Sequence, residues 1–334
     1  MSAARRFWTR FVVGRLIRLV VLVPLVAASA FTLLSISPID PVRAYVGDRA
    51  NKVGPEQAAL IAAKWGLDQP PLVRLEKWAG NVVRGDLGNS MIFRAPVADV
   101  LTERVRASLA LMALAWIFSG LIGFALGILA GAFEGTWLDR AIRAYAFVLA
   151  SAPTFWAAIL LLVVFAVELQ WAPFCCAGPP GMAIGEIGIA DRLAHLALPA
   201  ATLSLLGVAQ VTLHTRDKLR EVMASDYAML GFAQGLGRLA VALRHGLRNA
   251  AVPALMLQFS HLGELFGGSI LAETVFAYPG LGQATVLAGT RGDAPLLLGI
   301  AIFAAFFVFA GNTVADLLQH LLDPRQRRFA EIET

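Results

Sequence analysis

Apolar residues occur along this chain in long continuous runs, and the polar residues are gathered between them. A helix of about 20 apolar residues is long enough to span a bilayer. The pattern therefore predicts six spans, at residues 11–36, 109–132, 144–169, 196–213, 251–275 and 295–318. Pro153 predicts a kink in the third span. Gly120, Gly123, Gly127 and Gly131 lie three to four residues apart in the second span, a spacing that favours close packing of another helix.

Residues 37–104, between the first two spans, have a different composition. They are rich in proline and glycine and contain three of the four lysines. Short helices are predicted at Pro55–Trp65 and Leu72–Val83, in a segment outside the membrane. The predicted fold class is therefore all-α. It is a polytopic membrane protein with six transmembrane helices and an extracytoplasmic insertion after the first, divided into residues 1–104 and a five-helix core at 105–330.

The composition excludes an ordinary soluble protein. Of 334 residues, 58% are hydrophobic and 15% are charged, and the mean hydropathy is +0.68. A net charge of +5 would suggest nucleic acid as the partner of a soluble domain. Here the charges are segregated into the loops, which is typical of membrane proteins, so the expected surroundings are a lipid bilayer and no nucleic acid.

The basic residues predict the orientation of the spans. With the amino terminus inside, the four cytoplasmic segments hold sixteen Lys and Arg, and the two short outer loops hold two. The cytoplasmic side of membrane proteins is enriched in this way, so both termini are predicted in the cytoplasm. Ala28, Ser29 and Ala30 could form a signal-peptide cleavage site. Because the apolar run continues to Ile36, an uncleaved first span is the preferred interpretation.

Catalytic motifs are absent from the sequence. None of the four lysines is followed by Ser or Thr, so the chain has no G-x-x-x-x-G-K-[ST] phosphate loop. It also has no H-E-x-x-H or G-x-S-x-G, and a membrane hydrolase, the main enzymatic alternative, has no positive support. No catalytic residue, metal site or cofactor is expected. A vicinal disulfide is strained, so Cys175 and Cys176 are interpreted as two small apolar loop residues, with a metal or redox role as the alternative.

A polar, basic stretch between the fourth and fifth spans contains the most specific motif. It reads D-Y-A-M-L-G-F-A-Q-G-L-G-R-L-A-V-A-L-R-H-G-L-R-N-A-A-V-P from Asp226 to Pro253. This wording resembles the cytoplasmic EAA loop of ABC-importer permeases, in the dipeptide, oligopeptide and nickel branch. The resemblance is to the first, B-type, permease subunit. The matching residues are Asp226, Tyr227, Ala233, Gly235, Leu236, Arg244, His245, Leu247, Arg248, Asn249 and Pro253.

Shorter motifs extend this resemblance over most of the chain. G-L-D-Q-P, G-D-L-G-x-S and A-P-V occur at 66–70, 85–90 and 95–97, and Ser151, Pro153, Phe155 and Trp156 fit S-x-P-x-F-W. Phe276 with Pro279–Gly282 and Leu322–Arg325 fit two further family motifs. Two positions depart from the pattern. Gly231 stands where the family usually has alanine, and Ile39 replaces a glycine in Pro38–Pro41.

The resemblance implies the function and the partners. The chain would be half of the translocation pathway of an ATP-driven importer in the bacterial inner membrane, with a coupling loop within 214–250. The implied partners are a second homologous permease, two ATP-binding subunits that hold ATP and Mg, and an extracytoplasmic substrate-binding protein. The alternative is a channel-like or structural membrane subunit without an ATPase, which would not need a docking loop of this wording.

Ionisable residues inside a span are candidates for function because they are costly there. His261 and Glu264 lie one turn apart in the predicted fifth span, with Gly267 and Gly268 beside them. These four residues are the candidate translocation pathway; a helix-positioning polar contact is the alternative. Glu273 is expected to have a structural hydrogen-bonding role. The sequence at 261–269 resembles that of nickel-type permeases slightly more than that of peptide-type ones, which favours nickel or a metal complex slightly as cargo. Peptides remain equally open.

Overall fold

The computed structural model describes residues 3–38, 40, 42, 46, 53–179 and 187–322. The first helices are α1 (Ala3–Ser35), α2 (Pro55–Lys64), α3 (Pro71–Val83), α4 (Val97–Ala132), α5 (Trp137–Ser151) and α6 (Thr154–Leu161), which continues as a π-helix at Leu162–Glu168. The later helices are α7 (Ile189–Met223), α8 (Asp226–Ala233), α9 (Arg238–Val241), α10 (Leu247–Ser260), α11 (Leu262–Val275), α12 (Leu281–Thr290) and α13 (Ala294–Leu322). A second π-helix, Ala242–Gly246, joins α9 to α10.

The all-α fold class is confirmed. No strand occurs in the described ranges, where the one isolated bridge joins Asn89 and Pro96. The two short helices predicted in the first insertion are α2 and α3. Each begins with a proline, which suits the first turn because its missing N–H has no partner there in any case. The family-like motifs at 38–41 and 322–325 lie largely outside the described residues.

Among the described residues, four helices are long and apolar enough to cross a membrane: α1, α4, α7 and α13. The predicted third span is more sharply broken than a kinked helix. It consists of α5 and α6 with its π-helical continuation, which meet at an angle of 104° around Pro153, and together they give a fifth candidate. Proline lacks an amide hydrogen and clashes with the preceding turn, which explains the position of the bend.

The predicted fifth span also differs from a single helix. Residues 251–275 fall in α10 and α11, which are 14 residues each and are separated at His261. Neither reaches the length of a bilayer-spanning helix alone. The described helices give four candidate crossings, or five with the bent pair of α5 and α6, so the sixth crossing stays a prediction. Helix α7 is longer than its prediction of 196–213, because it begins at Ile189 and continues ten residues beyond Leu213.

The described chain divides into two compact units. One is built from residues 109–278 and from 310 onward, and the other from residues 4–108 and 279–309. The predicted boundary at residue 104 is close to the first of these divisions, but residues 279–309 belong with the amino-terminal unit. The division into residues 1–104 and a five-helix core at 105–330 stays a prediction.

In the first unit, α4 packs directly on α7 through its glycines. A Cβ atom on Gly123 would lie 2.9 Å from the carbonyl oxygen of Val208, and one on Gly127 would lie 2.8 Å from that of Thr212. Gly131 repeats the relationship one turn later against Arg216. Any larger residue would force the helices apart, so the small-residue spacing in the sequence corresponds to a close helix crossing as predicted.

In the second unit, the G-D-L-G-x-S segment is held by a buried carboxylate. Oδ2 of Asp293 accepts hydrogen bonds from the Ser90 hydroxyl at 2.6 Å and from the Ile92 amide at 3.1 Å. Oδ1 accepts from the Leu296 amide at 3.3 Å and caps the start of α13. Because Ser90 and Asp293 are both fully buried, the family-like motif at 85–90 forms a structural anchor.

The two cysteines are not the unbonded loop residues that we expected. Cys175 and Cys176 are joined by a disulfide. The backbone amide of Cys176 also donates a hydrogen bond to the carbonyl oxygen of Phe276, just after α11. The pair therefore belongs to a connection between the loop after α6 and the end of α11.

Candidate functional site

The stretch that resembles the coupling loop folds as two short helices joined by a turn. We call Asp226–Asn249 the coupling segment; it comprises α8, the turn, α9 and the π-helix with its following residues. Gly235 lies in the turn with a φ of +83°, and its amide bonds to the carbonyl of Phe232 at 2.9 Å. This left-handed conformation favours glycine. Gly235 therefore lies between the two short helices of this stretch.

Side chains of the candidate motif meet across the coupling segment. The Asn249 amide donates to the Tyr227 hydroxyl at 3.3 Å and to the His245 carbonyl at 3.1 Å. The Tyr227 and His245 rings are 6.4 Å apart. Gly231 is buried below them, and an alanine Cβ there would lie 3.3 Å from Val241 and 3.5 Å from His245. Glycine at this departure from the family pattern therefore leaves space at the α8–α9 contact.

The opposite face of the coupling segment is open. Asp226, Ala233, Arg244 and Arg248 are exposed, and Leu236 is partly buried. Large apolar side chains are exposed among them, which is unusual for residues outside the spans of a folded chain. They include Met229 (57%), Leu230 (61%), Phe232 (37%), Leu239 (39%) and Leu243 (49%).

The inner face of the coupling segment is joined to the spans by an apolar cluster. Leu219 and Val222 of α7 pack with Ala242 and Ala250, and Ile128 and Ala132 of α4 complete the buried set. A Cβ atom on Gly246 would overlap the Leu219 side chain, so the backbone at Gly246 packs directly against this leucine of α7. A displacement of the segment would therefore be transmitted to α7 through direct contact.

The four pathway candidates are gathered around one cavity in the first unit. His261, Glu264, Gly267 and Gly268 all line a space of about 150 Å³. Glu264 lies in the first turn of α11. A Cβ atom on Gly267 would have no neighbouring atom within 4 Å, so this residue opens toward free space. His261 is the N-cap residue of α11, its carbonyl oxygen accepts from the Leu265 amide at 3.0 Å, and it lines the same cavity as Glu264.

Glu264 has a polar partner that the sequence analysis missed. The Nε2 amide of Gln210, from α7, donates to its carboxylate at 3.0 Å, and Gln210 lines the same cavity. Gln258 is a second missed polar residue. Its carbonyl oxygen accepts from the Trp116 indole at 3.3 Å, and its side-chain oxygen accepts from Ser119 at 3.4 Å. Amides inside apolar runs were the signal that could have identified both.

A buried ion pair that the sequence pattern did not predict lies at the polar ends of α5 and α7. Asp139 and Arg216 are 1% and 7% exposed, and they form two parallel hydrogen bonds of 2.6 Å and 2.9 Å. Glu273, which we expected to have a structural role, is completely buried in the last turn of α11.

Comparison with known proteins relates these features to a family. The model of the binding-protein-dependent transport system inner membrane component matches residues 123–328, and the amino-terminal model of the same system matches residues 8–112. The oligopeptide transport system permease protein AppB of Bacillus subtilis is 31% identical over 89% of this chain and 92% of its own length. A peptide transport system permease protein of Brucella abortus is 33% identical over 96% of this chain and 99% of its own length.

These matches cover both compact units, including the coupling segment and the cavity, and both relatives are transport permeases rather than enzymes. They favour an importer over the channel-like or structural alternative. The chain therefore belongs to the family of binding-protein-dependent transport system inner membrane components, as a multi-pass permease subunit of an ABC importer.

Proposed function

We propose that this chain is one permease half of a peptide importer and that the coupling segment receives the movement of a separate ATPase. The observation that carries the proposal is the two-sided character of this segment. Its outer face exposes apolar side chains and three arginines, Arg238, Arg244 and Arg248, while its inner face packs on Leu219 and Val222 of α7. A protein that docks on the outer face would therefore move α7 directly.

The chemistry of the outer face suits a protein partner. Contiguous exposed apolar residues rimmed by polar groups are typical of protein–protein interfaces, and arginine provides directional donors at such sites. Met229 and Leu230 supply apolar surface here, and Tyr227 is 45% exposed beside them. ATP and Mg would be bound by the docking subunit, because the chain has no phosphate loop of its own.

Peptide is the proposed cargo. The relatives that cover nearly the whole chain carry peptide or oligopeptide in their names. Glu264, Gln210 and His261 around the cavity offer a carboxylate, an amide and an imidazole, which suit the N–H and carbonyl groups of a peptide. Nickel, which the sequence left equally open, has no comparable support from these relatives.

The remaining parts of the proposal concern assembly and orientation. A second homologous permease would complete the pathway, two ATP-binding subunits would dock from the cytoplasm, and a binding protein would deliver cargo from outside. Both termini and the coupling segment would then be cytoplasmic in the bacterial inner membrane. The excess of Lys and Arg in the predicted inner segments supports this orientation.

The experiment is co-purification of the complete importer with a charge placed on the outer face. Leu230→Glu puts a carboxylate on a side chain that is 61% exposed, so the fold is unaffected and docking is opposed. We expect the ATPase subunits to be lost from the purified complex while the second permease stays bound. Leu60→Glu, at a side chain of α2 that is 72% exposed, is the matched control and should retain them. Normal recovery of the ATPase with Leu230→Glu would contradict the docking site.

A further inference from the structure

The ion pair between Asp139 and Arg216 has a feature that a simple tie between helices does not need. Each of its two charges has a second partner on its own helix. Oδ1 of Asp139 lies 3.3 Å from Nε of Arg143, one turn later in α5. Nη1 of Arg216 donates at 2.9 Å to Oδ1 of Asp217, its neighbour in α7.

Arg143 on α5 is a second cation beside the Asp139 carboxylate. Nε of Arg143 is buried and makes no hydrogen bond, although it lies at ion-pair distance from Asp139. The hydrogen bonds to the Asp139 carboxylate come instead from Arg216 and from the Gly135 amide at 3.1 Å. Arg143 is thus positioned to take over the carboxylate if Arg216 leaves.

These four charged residues lie between the coupling segment and the cavity. Arg216 is one turn before Leu219, which packs on the coupling segment. Asp139 is in the first turn of α5, and the bend at the other end of α5 leads to Thr154, which lines the cavity. The only charge-paired contact described between α5 and α7 is therefore on the route by which a displacement would reach the cavity.

Breaking a buried ion pair is normally unfavourable because it leaves a charge without compensation. Here separation of α5 from α7 would leave Asp139 with Arg143 and Arg216 with Asp217. Both residual pairs lie within one helix, so neither depends on the distance between the helices. This arrangement lowers the free energy of the separated state relative to that of an ion pair without alternatives.

We propose that Asp139 and Arg216 are positioning residues of the transport cycle, forming a latch that opens by exchange of partners to Arg143 and Asp217. The latch holds α5 against α7 in the present state and releases α5 when the coupling segment is displaced. This proposal rests on the coupling function proposed above. Two discrete pairings provide the two-state element that coupling between distant sites requires.

The test compares two kinds of variant in the complete importer, reconstituted in liposomes with its binding protein and a dipeptide. Asp139→Asn weakens the latch itself. We expect ATP hydrolysis without binding protein to rise by about fivefold or more, a typical magnitude for loss of coupling between sites, and peptide uptake per ATP to fall. Arg143→Gln and Asp217→Asn remove the reserve partners, at side chains that are 38% and 65% exposed.

The reserve variants, Arg143→Gln and Asp217→Asn, should have the opposite effect on ATP hydrolysis. Because they disfavour the separated state, hydrolysis stimulated by the loaded binding protein and uptake should fall together, with uptake per ATP unchanged. Arg140→Gln, on the exposed side of α5, is the control and should match the unmodified importer. Unchanged hydrolysis and uptake per complex in both reserve variants would overturn the latch, and so would a rise in unstimulated hydrolysis in them.

Failure of the latch and failure of the proposed function give different results. If the unmodified importer transports with ATP but Asp139→Asn only lowers the yield of complex, with normal hydrolysis and uptake per complex, the pair is a structural tie and the latch is wrong. If the unmodified importer shows no uptake that depends on ATP, the proposed function fails before the latch is tested. The reserve variants keep the test decisive where Asp139→Asn does not fold, since both residues are partly exposed.

Discussion

Leu219 of α7 lies against Gly246 of the coupling segment so closely that a methyl group at residue 246 would overlap its Cδ1 atom. On its other side, Leu219 faces Gly131 of α4, where a Cβ would lie 2.9 Å away. One fully buried leucine is therefore enclosed by two glycines, from a span and from the coupling segment. Close-packed contacts of this kind transmit displacement because the interior has little free volume.

The first prediction concerns this contact. Gly246→Ala should push the coupling segment away from α7, at a cost of about 1–3 kcal/mol for overpacking. We expect uptake per assembled importer to fall and the melting temperature of the purified complex to decrease. The matched control is Gly237→Ala, because a Cβ there has no atom within 4 Å. Equal uptake by the two variants would show that the Leu219 contact does not matter for coupling.

The second prediction concerns the crossing of α4 and α7. Gly127→Ala places a Cβ atom 2.5 Å from that of Thr215 and 2.8 Å from the carbonyl oxygen of Thr212. Backbone cannot move aside as a flexible side chain can, so we expect a loss of about 1–3 kcal/mol in stability. Thermal unfolding in detergent measures it. Gly14→Ala in α1, where nothing lies within 4 Å, should not lower the unfolding temperature, because alanine has the higher helix propensity.

The features that the sequence predicted well depend on local pattern. Long apolar runs predicted α1, α4, α7 and α13, because a bilayer-spanning helix must satisfy its own backbone. The turn at Gly235 was predictable because the motif around it is specific and glycine suits its positive φ.

The missed features depend on distance and angle. Pro153 indicated a break in the third span, but nothing local distinguishes a shallow kink from the 104° bend that is observed. The break at His261 is not marked by proline, while Pro253 lies inside α10 without ending it. Asp139 and Arg216 are 77 residues apart in sequence, and neither spacing nor periodicity could pair them.

The third prediction concerns the anchor of the G-D-L-G-x-S segment. Asp293→Ala removes the acceptor for Ser90, Ile92 and Leu296, and leaving such buried donors unsatisfied costs about 1–3 kcal/mol. We expect faster amide hydrogen exchange at Ile92 and Leu296. Asp293→Asn should be milder because its amide oxygen can still accept. Asp99→Ala, at an exposed carboxylate of α4, is the control, and equal exchange in the two alanine variants would contradict the anchor.

The last prediction concerns the cavity. A charged residue in the middle of a span costs about 2.5–3.5 kcal/mol on insertion scales if it faces lipid, so Glu264 is expected to face protein or water. Its observed partner is the Gln210 amide at 3.0 Å, and His261 lines the same cavity. If the carboxylate contacts cargo, Glu264→Gln should lower peptide uptake per assembled importer while the yield of complex stays normal.

A helix-positioning role gives the opposite pattern for Glu264. The amide of Glu264→Gln can still accept a hydrogen bond from Gln210, so uptake should then be nearly normal. Glu264→Leu, which cannot accept one, should lower the amount of complex and its transport together. Glu221→Gln, at an exposed residue of α7, controls for the loss of a carboxylate elsewhere. Normal yield and normal uptake per complex in both Glu264 variants would exclude a role of this carboxylate in the pathway and in positioning the helices.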